Sequence, residues 1–433
     1  MSLKEEKEAF VTGHEGTTVA ELLLVCLSAP IGIWLLSKCQ TTSDARRAAA
    51  EALFALIPMM IVQTNLLYPW GVSILAIEMV FTIWMQFTQA QKQQAARPHR
   101  LVSLTCFRSS VMYLTFVAIL AVDFSLFPRR FCKTEVTGYG LMDLGAGSFV
   151  VAAGLLPHNK VQQSWKRILP LVILGMIRCV ANKGLDYQEH MSEYGIHWNF
   201  FLTLAVVMPL ASWFVSSEPA LSLCWKVPLG ITLCYQYALS NGLQEYIETA
   251  PRMCESAAPL CNLLAANREG ILGCIGYHSI YLTSYYIGRI CLWNNVNNPQ
   301  QRQSMLYEAA AVLWLLEFLL AQAIPVSRRS TNVTFCVWTL AHNTLLLALL
   351  ETATSSMTCP PIFINAMNRH GLLVFVVANL LTGLVNLTFD TLQASDGTAL
   401  VILTMYLSCV CGFAVLLDPV LALLRHRGRS RTN

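Results

Sequence analysis

From residue 19 to residue 417 the chain is a succession of apolar runs, each separated from the next by a short polar stretch. A bilayer span uses about 20 residues, so thirteen such runs take up roughly 260 positions and leave connectors and termini of roughly twelve residues each. No room remains for a folded soluble domain. Charged residues make up only 12% of the chain and hydrophobic ones 55%, against a charged share of roughly 25% in soluble domains. A large ectodomain, a tethered soluble enzyme and a nucleic-acid partner are thereby excluded, and the net charge of +4 is too small to draw a polyanion.

The predicted fold is all-α: a polytopic transmembrane bundle of about thirteen helices, forming one domain over residues 1–433. The runs lie near 19–37, 51–68, 71–87, 111–127, 139–156, 168–182, 197–214, 220–238, 271–292, 306–325, 333–351, 371–389 and 397–417. The charged N-terminal residues lack a cleavage site before the first run, so that run is expected to anchor the protein. An odd number of spans puts the termini on opposite sides, and the Arg-rich tail places residues 418–433 in the cytosol. The segment 1–18 is then luminal or exterior. Lys38, Arg46, Arg47, Lys92, Arg97, Arg100, Lys160, Lys166 and Arg167 fall on the cytosolic side, as the positive-inside rule requires. Acidic and aromatic residues collect on the other face, where function is expected.

Four polar clusters on that face need an explanation. In AVDFSLFPRRFCKTE, Asp123 is predicted in the last turn of an apolar helix that Pro128 ends before Arg129, Arg130 and Lys133. An ionisable group there is costly and marks a functional site by default. A half-buried carboxylate takes a proton from an alcohol, and an ammonium stabilises developing negative charge; a structural ion pair serves equally well. Asp143 follows among small residues that suit helix packing, and is a secondary candidate for the site. In LDYQEHMSEYGIHWNFF, a helix would set His190, Glu193 and His197 on one face, and Glu189 with Glu193 one turn apart. Tyr187, Gln188, Trp198 and Asn199 complete a network suited to a polyhydroxyl or amino headgroup. A zinc site is the rival reading, but no established ligand spacing is present, so no metal is expected.

The third and fourth clusters are shorter. Asn267, Arg268 and Glu269 enter one run, while Arg328 and Arg329 leave another. Guanidinium forks suit phosphate, and snorkelling at a helix end is the bland alternative. Asn368 and Asn386 add amides that line a cavity or join helices. Arg178 falls near the second cluster, within reach of the site. Cysteines are scattered through apolar runs; Cys254 and Cys261 share one loop and are a candidate disulfide, whereas Cys409 and Cys411 lack partners for a metal site.

KEAFVTG, AVDFxxFPRRFxKTE, LMDLGxGSFV, YQEHxxEYGxHWNFF, ANREG, VSRR and TGLVN occur in that order. Together they resemble the glycosylphosphatidylinositol (GPI) inositol acyltransferase family of the endoplasmic reticulum, over essentially the whole chain. The chain departs from that family where His14-Glu15 stand in place of the usual Leu-Asn. The resemblance implies transfer of a long-chain acyl group, typically palmitoyl, from acyl-CoA to the 2-hydroxyl of inositol in glucosaminyl phosphatidylinositol. Acyl-CoA enters as co-substrate, with no permanently bound cofactor, and the partners are the glycolipid and membrane lipids. Carried over by position, the catalytic acid and lysine fall on Asp123 and Lys133. Arg129, Arg130, Arg328 and Arg329 would hold phosphate, and Glu189, His190, Glu193 and His197 the glucosaminyl inositol, with His190 or His197 a rival base. A multispan lipid transporter or scramblase is the alternative from another class, and a metal-dependent intramembrane hydrolase a third reading.

Overall fold

A computed structural model describes residues 6, 9–39, 43–67, 101–157, 165–184, 191–217, 220–253, 259–293 and 298–429. In chain order its α-helices are α1 Val19–Lys38, α2 Asp44–Glu51, α3 Ile57–Ile61, α4 Val102–Ala121, α5 Leu141–Gly154, α6 Trp165–Gly184, α7 Met191–Tyr194, α8 Phe200–Ser216 and α9 Leu221–Ala238. There follow α10 Gln244–Thr249, α11 Pro259–Ala266, α12 Arg268–Ile287, α13 Pro299–Ala321, α14 Val333–Ala353, α15 Ile362–Arg369, α16 Gly371–Thr388 and α17 Asp396–Arg429. The described residues contain no strand, and the all-helical, polytopic membrane architecture read from the sequence is the one observed. Six described helices are long and apolar enough to cross a membrane: α1, α4, α13, α14, α16 and the first 22 residues of α17. Leu141–Gly154, Ile168–Cys179 and Phe200–Ser216 are shorter apolar helices. The expected run at 71–87 lies outside the described residues.

The chain divides into two compact units, one of Met1–Thr17 and Cys132–Leu345, the other of Thr18–Phe131 and Leu346–Asn433. In the second unit, Thr18 caps α1 by accepting the amide of Glu21 at 3.3 Å. Glu21 in the first turn and Lys38 in the last complement the helix dipole. A π-turn over Ala52–Leu56 joins α2 to α3. Pro58 lacks the N–H that an α-helical ladder would use there, and the wider turn absorbs the loss. Glu51, 1% exposed, accepts the amides of Phe363 and Ile364 at 3.0 and 2.8 Å and so caps α15.

Helix α4 starts nine residues before the expected run and ends before Asp123. Its early polar residues are spent inside the unit: Ser103 donates to Glu351, Ser109 to the carbonyl of Ile364 at 2.6 Å, and Thr105 to the carbonyl of Leu101 at 3.3 Å. Hydropathy counts these groups as wet, whereas here each is satisfied by protein.

In the first unit, α12 packs against α5, α8 and α9. Gly154 permits the contact with α5, because a Cβ there would lie 2.5 Å from the carbonyl oxygen of Tyr281. Asn199 caps α8, accepting the amides of Phe201 and Leu202 at 3.1 and 3.3 Å.

Candidate active site

The turn that follows α4 carries the first cluster in the second unit. Asp123 is 4% exposed, and its Oδ2 accepts Nδ2 of Asn386 at 2.6 Å. The same amide donates to the carbonyl of Thr382 at 3.2 Å, which ties it to α16. Arg129 folds back over the helix end, donating to the carbonyls of Val122, Phe124 and Phe127 at 2.9, 2.8 and 3.0 Å. These carbonyls lie in the turn past Ala121, and that of Phe124 also accepts the amide of Phe127 at 3.2 Å. Arg130 grips Glu21 of α1 through two nitrogens at 2.8–3.1 Å. The doublet read as a phosphate clamp thus has one member on backbone and one on a carboxylate.

Within the first unit a chain of charges runs from Lys133 to Asp143. Lys133 Nζ lies 2.5 Å from Glu193 Oε2, Glu193 Oε1 lies 3.5 Å from Arg328 Nη1, and Arg328 Nε lies 2.7 Å from Asp143 Oδ1. The other oxygen of Asp143 accepts the amide and hydroxyl of Thr134 at 2.9 and 2.8 Å. Arg328, 6% exposed, also lies over the Tyr194 ring at 5.2 Å. Two cations and two carboxylates cancel, which is how a guanidinium is tolerated at this depth.

Burial raises the Glu193 pKa, yet the charges of Lys133 and Arg328 outweigh that effect and hold it at about 2, with Arg178 on α6 adding to the pull. Burial likewise opposes the charge of Arg328, but Glu193 and Asp143 more than offset it and push its pKa up.

The turn that places Arg328 is itself tightly built. Thr331 adopts φ 49°, rare for a β-branched residue. Asn332 accepts the amides of Ser327 and Phe335 at 3.3 and 3.0 Å, which seats the start of α14. Beside it, Glu269 receives Arg252 at 2.7 Å and Arg329 at 3.3 Å. Arg268 spends its guanidinium on the carbonyls of Ile247, Pro251 and Ala265 at 2.9–3.3 Å. Asn267 Oδ1 accepts the amide of His197 at 2.7 Å. That contact needs the left-handed backbone of Gly195, φ 103°, where a Cβ would lie 2.5 Å from Asn267 Cα. Trp198 donates to Thr203 at 2.9 Å, while His197 is exposed.

Of the expected site residues, Lys133, Glu193 and Arg328 come together directly, as do Glu269 and Arg329, and His197 with Asn267. Asp123 pairs with Asn386 and Lys133 with Glu193. Tyr187, Gln188, Glu189 and His190 lie outside the described residues. Asp143, only a secondary candidate from the sequence, belongs to the charged chain. A lone aspartate in the first turn of an apolar helix, five residues before Ser148, was the available signal. Arg252 left no comparable trace. Cys261 is disulfide-bonded, and Cys254 lies outside the described residues.

The profile of the GWT1 family matches residues 3–417. This chain belongs to that family. It is 34% identical to "GPI-anchored wall transfer protein 1" of Aspergillus oryzae, over 96% of this chain and 98% of the relative. The protein of the same name from Emericella nidulans is 33% identical, over 95% and 97%, and that from Yarrowia lipolytica 34%, over 78% and 80%. Membership in this family, the GPI inositol acyltransferases, puts the chain in GPI-anchor biosynthesis as a membrane-embedded acyltransferase.

Proposed function

We propose that the chain moves a long-chain acyl group, palmitoyl first among them, from acyl-CoA to the inositol 2-hydroxyl of glucosaminyl phosphatidylinositol, in the endoplasmic reticulum membrane and on its luminal face. The observation that carries the reading is a carboxylate, Asp123, buried at the end of an apolar helix and oriented by one amide, Asn386. Asp123 takes the proton as the inositol oxygen attacks the thioester carbon. The C–O bond forms, and the tetrahedral intermediate collapses with loss of the C–S bond. The proton on Asp123 passes to the departing thiolate, leaving CoA and the acylated lipid.

Lys133 stabilises the thioester oxyanion, with Glu193 fixing its ammonium. Glu193, His197, Trp198, Asn199 and Asn267 hold the glucosaminyl inositol, together with Tyr187, Gln188, Glu189 and His190. Among the arginines, Arg329 is the best suited to phosphate: its Nε has no hydrogen-bond partner among the described residues, whereas Arg328 Nε faces Asp143 at 2.7 Å, and Arg129 and Arg130 are spent on carbonyls and on Glu21.

The test compares Asp123→Asn with His197→Ala in purified full-length protein supplied with acyl-CoA and the glycolipid. Removing a general base costs about 10²–10⁴-fold in rate, so Asp123→Asn should lose at least that much kcat. His197→Ala should raise KM for the glycolipid while kcat stays within about tenfold of the original. Full turnover by a folded Asp123→Asn protein would sink the assignment.

A further inference from the structure

The N-terminal stretch KEAFVTGHEGT has no part in the proposed chemistry, yet residues 14–17 run along the loop that carries Lys133. The amide of Thr17 donates to the carbonyl of Tyr139 at 2.8 Å, as an isolated antiparallel bridge, and the amide of Glu135 donates to the carbonyl of His14 at 3.2 Å. Two glycines bring the segments this close. Gly16 has φ 88° and Gly138 φ 133°, and each faces the opposite backbone. A Cβ at Gly16 would lie 2.5 Å from the carbonyl oxygen of Tyr139, and one at Gly138 would run into that of Glu15. The methyl of Thr134 sits against both glycines, at 2.9 and 3.1 Å from where their Cβ atoms would be.

On its other side the loop is tied to the turn that carries Arg328. Gly138 donates its amide to the carbonyl of Val326 at 2.9 Å, and Ser327 donates its hydroxyl to the carbonyl of Val136 at 2.8 Å. Thr134, the residue beside Lys133, is therefore held twice: its methyl by the glycines, its amide and hydroxyl by Asp143 at 2.9 and 2.8 Å. From Asp143 the contacts pass through Arg328 and Glu193 back to the ammonium of Lys133. Both ends of Lys133 are thus fixed, the backbone through Thr134 and the ammonium through the charged chain. A lysine side chain is long and has many rotamers, and a donor stabilises an oxyanion only when it is already in place. His14 and Glu15, where the chain departs from the family's usual pattern, meet the loop through their carbonyls, so the change of side chains leaves these contacts intact.

We propose that residues 14–17 are a strap that positions Lys133 for the reaction, with Gly16 as its key positioning residue and Thr134 as the group it clamps. This rests on the reading of Lys133 as the group that stabilises the thioester oxyanion. Opening the strap moves the ammonium away from the developing charge without removing a substrate contact, so it lowers kcat and spares KM.

Steady-state kinetics of full-length variants in nanodiscs tests the strap, with Gly13→Ala as the control. Gly13 also has a positive φ, 76°, but a Cβ there meets nothing within 4 Å, so alanine brings the backbone strain without the clash. A misplacement of about 1 Å costs about a hundredfold, so Gly16→Ala should lower kcat by about tenfold to a hundredfold. Its KM values for acyl-CoA and glycolipid should stay within about threefold of native, as should the kcat of Gly13→Ala. In a Lys133→Met background Gly16→Ala should cost nothing further, because the group it positions is gone. Hydrogen exchange at the amides of Glu135 and Gly138 should quicken in Gly16→Ala and not in Gly13→Ala. Thr134→Ser removes the clamped methyl, introduces no clash and keeps the hydroxyl on Asp143. It should lower kcat and quicken the same amides, and it decides the matter if Gly16→Ala does not fold. Equal losses in Gly13→Ala and Gly16→Ala, an undiminished loss in the Lys133→Met background, or a raised KM with kcat unchanged overturns the strap. If Lys133→Met itself turns over at the native rate, the oxyanion reading fails, and exchange alone decides the strap: quickened amides support it and unchanged ones overturn it.

Discussion

At the scale of single residues, the charges of the first unit act in pairs drawn from distant positions in the chain. Lys133 and Glu193 both stood out as charges beside apolar helices, yet sixty positions separate them, and nothing local to either announces a 2.5 Å contact. Asp143 ranks only second in the sequence because its glycine-rich neighbours already have a packing explanation. The depressed pKa of Glu193 gives a direct check. Its folded value of about 2 lies below the ordinary 4.5, so the unfolded chain binds more protons in that interval. The stabilisation by Glu193 is complete above about pH 5 and declines as pH falls from 4.5 toward 2. Thermal melts of the native protein and Glu193→Gln should therefore differ by a constant Tm gap above pH 5, closing on acidification. A gap that widens in acid would contradict the ion-pair assignment.

Elements were more legible than their ends. Apolar length located most of the helices, because a span must be long and dry whatever its neighbours are. It misplaced the start of α4, whose Ser103, Thr105 and Ser109 find partners within the protein, and it missed the π-turn that accommodates Pro58. Two substitutions probe how elements are joined. Arg328→Met leaves Asp143 buried without its cation, and breaking a buried pair in this way costs about 3–5 kcal/mol; a fall in Tm should follow, whereas an unchanged Tm would show that Asp143 is neutral in the native protein. Glu51→Ala removes the acceptor for two first-turn amides of α15, at about 1–3 kcal/mol. Hydrogen exchange at Phe363 and Ile364 should quicken by at least tenfold, with the amides of α12 unaffected.

For the whole molecule, composition established a membrane bundle and a run of long motifs established the family, while the tertiary grouping of the clusters needed coordinates. Lys133, Glu193 and Arg328 come from three separate segments, and only the packing of the first unit brings them together. Scarcity of charge is what made those segments visible: with 12% of residues charged, each intramembrane or interfacial charge demands a reason. The central claim is covalent transfer from acyl-CoA to the inositol ring. It is tested most directly by supplying the purified, reconstituted chain with acyl-CoA and glucosaminyl phosphatidylinositol, then measuring free CoA thiol and acylated glycolipid in the same reaction. The two should appear in equal amounts, with the new ester on the inositol 2-oxygen. Passage of the glycolipid across the bilayer with neither product formed would contradict the account and identify a transporter.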